Sequence, residues 1–87
     1  MVISIKEGGN HMPITDKVKA AMVVRGKKNK DLAQYLGITD QSLSNKLNRG
    51  SFSAEDLIKI ADFAGATLAL EFDDGNKIAF SLDDIRQ

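Results

Sequence analysis

Eighty-seven residues, 43% of them hydrophobic, bound one small domain with a modest core. Cysteine is absent and histidine occurs once, at His11, which removes disulfide frameworks, thiolate metal sites and His-based triads and fits a reducing intracellular setting. Formal charge is zero, but residues 12–53 carry eight Lys or Arg against three Asp, whereas residues 54–87 carry three against eight acidic groups. Such a basic front half suits a polyanionic partner; lysines that only solvate helix faces are the plainer alternative.

No apolar run approaches a membrane span, and "VISI" is too short for a secretory signal, so a cytoplasmic protein is expected. "VISIK" has strand composition and could add a third strand, within the chain or across a dimer, while "EGGNH" reads as a flexible joint that includes a solvated His11. Residues 1–11 are therefore read as an N-terminal extension. "PITDKVKAAMVVRG" places Val18, Ala21 and Met22 at helical spacing, predicting a helix over 16–25 with Thr15 as its N-cap. "NKDLAQYLG" puts Leu32, Ala33 and Leu36 on one face and stops at Gly37, which suits a left-handed closing residue.

Thr39 can cap a third helix, with Ile38 before it packing on Leu43 and Leu47 extending the buried side. "SFSAED" repeats that chemistry: Ser53 caps, Asp56 stands three residues on, and Phe52 faces Leu57. Leu57, Ile60, Ala61 and Ala64 form the inward stripe of a fourth helix, off which Ile58 and Phe63 lie. They predict either a second contact surface or packing beneath the C-terminal segment. From Thr67 the period falls to two, in "TLALEF" and "KIAFSL". A three-residue loop of Asp74, Gly75 and Asn76 would pair Phe72 with Ile78, Leu70 with Phe80 and Leu68 with Leu82, making a hairpin whose apolar face must be covered.

The run "LAQYLGITDQSLSNKL" has the marks of a helix-turn-helix: Leu32, Leu36, Ile38 and Leu43 supply the hinge core, Ala33 permits close approach and Gly37 makes the corner. From about Pro13 to Ala66 the chain resembles the Cro/C1 or Xre-type helix-turn-helix regulators of phage and bacteria. The resemblance implies a mainly α, lambda-repressor-like domain of four to five helices over residues 12–66. Residues 67–87 then form a C-terminal β-hairpin and tail, joined or not by an N-terminal strand. It also implies operator binding as a dimer, with the third helix in the major groove. Two departures stand out: Lys46 occupies a position that is often aliphatic in the family, with Leu47 following, and Asn29 stands where Gln is usual at the start of the second helix.

On this reading Gln41 and Asn45 are the candidates for base edges, each able to pair bidentately with adenine, and Ser42 is a weaker one. Asn29, Lys28, Lys30, Ser44, Lys46, Arg49 and Ser51 are assigned to phosphates, which set affinity and register. Asp40 lies in the first helical turn, where the helix dipole favours a carboxylate. Ile58, Phe63, Leu68, Leu70, Phe72, Ile78 and Phe80 are the expected dimer surface. The function expected is a homodimeric, sequence-specific repressor acting by occlusion of a two-fold operator. Its rival is an antitoxin-like or inhibitor module that grips a protein partner. No enzyme, metal or cofactor is expected, because no clustered catalytic groups or phosphate-cradling glycine loop occur.

Overall fold

The computed structural model describes the backbone of residues 2–5 and the whole of residues 13–85. His11 and the joint expected before it lie outside the described residues. In chain order the elements are β1 (Val2–Ile5), α1 (Ile14–Val24), α2 (Asn29–Leu36), α3 (Asp40–Arg49), α4 (Ala54–Phe63), β2 (Thr67–Glu71) and β3 (Lys77–Phe80), then a 3-10 turn over Leu82–Asp84. The chain is thus mainly helical with a C-terminal hairpin, as expected.

Each helix boundary has a local cause, and one differs from expectation. α1 begins at Ile14 behind Pro13, so Thr15 sits inside the helix and its hydroxyl donates instead to the Leu47 carbonyl, 2.7 Å away near the end of α3. A hydroxyl in the first turn serves either its own helix or a neighbour, and here the neighbour wins. α2 closes on Gly37 at φ 71°, and Thr39 then caps α3 by accepting from the Ser42 amide at 3.0 Å. α4 opens with a reciprocal cap in which the Asp56 amide donates to Ser53 Oγ and the Ser53 amide donates to Asp56 Oδ2, satisfying two otherwise orphaned donors.

Two apolar cores share α4. Val18, Met22, Leu32, Ala33, Leu43, Leu47 and Ile60 make the first, with Leu36, Ile38, Phe52, Leu57 and Phe63 packed around it. Ile58, Ala61 and Leu68 make the second, flanked by Phe80, Leu82 and Ile85. α4 is therefore a shared wall, its Ile60 side facing the helix-turn-helix and its Ile58 side facing the sheet. Packing beneath the C-terminal segment is the role that Ile58 takes.

The sheet has the order β1-β2-β3. β1 pairs in parallel with β2, Val2 opposite Thr67 and Ile5 opposite Leu70, so the N-terminal strand joins its own chain's hairpin. β2 and β3 are antiparallel with Leu68 opposite Phe80, Leu70 opposite Ile78 and Glu71 opposite Lys77. This register is shifted by two residues from the expected one. The loop runs over Asp73, Asp74 and Gly75, because Gly75 at φ 92° takes the positive-φ position expected of Asn76. A glycine meets no Cβ clash there. Asn76 is held instead by Asp74, whose carboxylate accepts from its amide and from its side chain at 3.0 Å. An even shift leaves each side chain on its expected face, but Phe72 loses Ile78 as its partner.

Candidate nucleic-acid interface

α3 is held on three sides before any polar side chain is considered. Leu43 and Leu47 are buried in the first core. Thr15 of α1 grips the Leu47 carbonyl. The Lys46 ammonium lies 2.8 Å from Asp56 Oδ2 on α4. A short helix anchored in this way presents its remaining faces in a fixed orientation, as base reading requires.

The outward faces carry the residues expected of a reader. Gln41, Ser42, Ser44 and Asn45 are all exposed, and Gln41 Nε2 donates to Asn45 Oδ1 at 3.3 Å. Ser42 is partly committed to the cap, since the Thr39 hydroxyl lies 3.0 Å from its Oγ. Lys28, Asn29 and Lys30 are exposed at the start of α2, and Arg49 and Ser51 at the end of α3. Among the described residues no side chain caps the N-terminus of α2, so its first-turn amides, with the positive end of the helix dipole, are suited to a phosphate oxygen.

Lys46 is placed differently from the other cations. Its partner Asp56 experiences opposing effects: burial disfavours the carboxylate, but the Lys46 hydrogen bond, the Ser53 cap and the ammonium charge outweigh it and lower the pKa below 3.8. That ion pair joins α3 to the cap of α4, which makes Lys46 a brace within the chain. Only the three-dimensional approach of residues ten apart in sequence reveals it.

Of the residues expected at a dimer surface, Ile58 and Leu68 are buried within the chain, at 5% and 4% exposure, and Phe80 is partly covered. Phe63 stacks on Tyr35 with ring centroids 5.1 Å apart and lies 5.2 Å below the Lys27 ammonium. Tyr35, which sequence reasoning passed over, also donates its hydroxyl to Asp62; that bond, then burial, raises its pKa. Nothing in the local pattern around Tyr35 signals a partner 27 residues away. Phe72 and Ile78 remain open, at 48% and 54% exposure, with Leu70 half-buried between them and the core.

Four helices, a glycine corner, a capped and braced third helix with amides outward, and a basic approach surface define a helix-turn-helix DNA-binding domain. Residues 16–74 match the bacteriophage CI repressor helix-turn-helix domain, about two thirds of the chain, and the chain belongs to that family. It is accordingly a DNA-binding transcriptional regulator. No match to this chain was found among curated proteins or among solved structures. Among the described residues no helix is long and apolar enough to cross a membrane.

Proposed function

We propose that the protein is a homodimeric repressor that occludes a two-fold operator, with one α3 in each of two successive major grooves. The observation that carries this reading is the exposed amide face of α3 on a helix pinned by Leu43, Leu47 and Thr15. Gln41 and Asn45 meet base edges, and Lys28, Asn29, Lys30, Ser44, Arg49 and Ser51 meet phosphates. Support for the dimer comes from the hairpin, whose Phe72 and Ile78 are half-exposed large apolar groups on a sheet with β3 at its edge. A second copy meeting this surface would cover them and set two α3 helices about one DNA turn apart. Occlusion needs no further part than a tightly held operator.

A protein-binding role, as an antitoxin-like or inhibitor module, draws on the same hairpin, where Asp73 and Asp74 follow Phe72 and would attract a basic partner. Removal of residues 66–87 would uncover Ile58 and Ala61, so point substitutions separate the readings better. Phe72→Lys with Ile78→Lys should give a folded monomer by sedimentation with at least tenfold weaker operator binding. A dimer of unchanged affinity, or a wild-type chain that is monomeric at micromolar concentration, would refute the dimer reading.

A further inference from the structure

We infer that Gln41 and Asn45 read DNA as one coupled unit, Gln41 offering an acceptor and a donor to adenine while Asn45 offers chiefly donors, to guanine or thymine. The inference rests on the DNA-reading role of α3 proposed above. A carboxamide has two N–H donors and one acceptor oxygen. Gln41 spends one N–H on Asn45 Oδ1 at 3.3 Å and keeps its second N–H and Oε1, the pair that complements adenine N7 and N6.

Asn45 is left with a different surface. Its oxygen is turned back toward Gln41, which engages one of its two lone pairs, so the two Nδ2 hydrogens are its main outward groups. These complement only acceptor edges, guanine O6 and N7 or thymine O4. The two residues are four apart and share a helix face, and about 6 Å of rise separates them, the span of roughly two base pairs. Mutual restraint also lowers the entropy lost when both amides dock. This division of labour replaces the expectation that each residue takes adenine independently.

Coupling gives the inference a signature that independent contacts lack. Removing the Gln41 amide frees Asn45 Oδ1, which restores Asn45 as an adenine reader. Duplexes selected from a random pool by the full chain, by Gln41→Ala and by Asn45→Ala, then sequenced, test this directly. Asn45→Ala identifies the base pair that Asn45 reads, because preference there disappears. Wild type should show about tenfold preference for adenine at one position and for guanine or thymine at the other. Gln41→Ala should flatten the first and move the second toward adenine. Both side chains are exposed, and circular dichroism checks that the variants fold. The inference is overturned if Gln41→Ala alters a single position, or if the wild type selects adenine at the Asn45 position. Failure of the wild type to enrich any sequence would instead remove the DNA-reading role on which it depends.

Discussion

The Asp56 carboxylate joins two tasks in one group: it caps α4 through the Ser53 amide and accepts from Lys46 at 2.8 Å, and so ties α3 to its neighbour. Asp56→Ala should cost about 1–2 kcal/mol in urea unfolding, a lost capping bond of about 1 kcal/mol plus an ion pair that partial exposure to solvent holds below about 1 kcal/mol. The pH dependence follows from the lowered pKa. The stabilisation is complete above the ordinary value of 3.8 and fades as acid carries the solution down through the lower folded-state value. Unfolding curves of wild type and Asp56→Asn should therefore differ at pH 6 and converge in strong acid; a gap unchanged by acid would exclude the ion pair as its source. Arg49 and Lys46 should part company as well. Arg49→Ala is expected to reduce the salt dependence of operator affinity by about one phosphate's worth, whereas Lys46→Ala should lower stability and leave that slope nearly unchanged.

At the level of elements, the two glycines that close α2 and α3 share a left-handed backbone and differ in surroundings. A Cβ on Gly37 would meet nothing within 4 Å, while one on Gly50 would lie 3.3 Å from Ile14 Cγ2. Gly37→Ala should then cost about 1–2 kcal/mol from conformation alone. Gly50→Ala should cost more, because α1 must also yield. Each kilocalorie lowers the melting temperature by about 4–8 °C in a domain of this size, so thermal unfolding resolves the order. Equal losses would mean that Ile14 moves aside freely. The consequence reaches function through Thr15, which follows Ile14 and holds the Leu47 carbonyl; a displaced α1 loosens the end of α3.

For the molecule as a whole, α4 divides the two charge regimes. The basic half of the sequence builds α1 to α3, and the acidic half runs from α4 through the hairpin, so in the proposed mode of binding a duplex at α3 would meet the cationic elements. The hairpin is half-covered: Leu68, Phe80 and Leu82 pack on α4, and Phe72 and Ile78 extend past it. Substitutions should divide along that line. Leu68→Ala is expected to destabilise the fold by about 2–5 kcal/mol, while Phe72→Lys leaves the unfolding midpoint of the monomer nearly unchanged and acts on association. A chain in which Phe72→Lys unfolds the helices would place the hairpin tip in the core instead.

Sequence alone determined the helix-turn-helix because its signals are local. Gly37 closes a helix, Thr39 and Ser53 start the next two, and Leu32 with Leu36, then Leu43 with Leu47, stand at helical spacing, each signal lying within one or two turns of chain. The outward amides of α3 were legible for the same reason, since burying Leu43 and Leu47 leaves Gln41, Ser44 and Asn45 on the other side. Tertiary structure decided what depends on residues far apart or on a small energetic choice. Thr15 left its cap for Leu47; Lys46, expected at a phosphate, pairs with Asp56; Phe63 found Tyr35; and Ile58 went beneath β2. In the hairpin, alternation specified the faces, but the choice of Gly75 over Asn76 for the positive-φ position set the register. Period-two patterning is blind to an even shift, so only the turn could settle it.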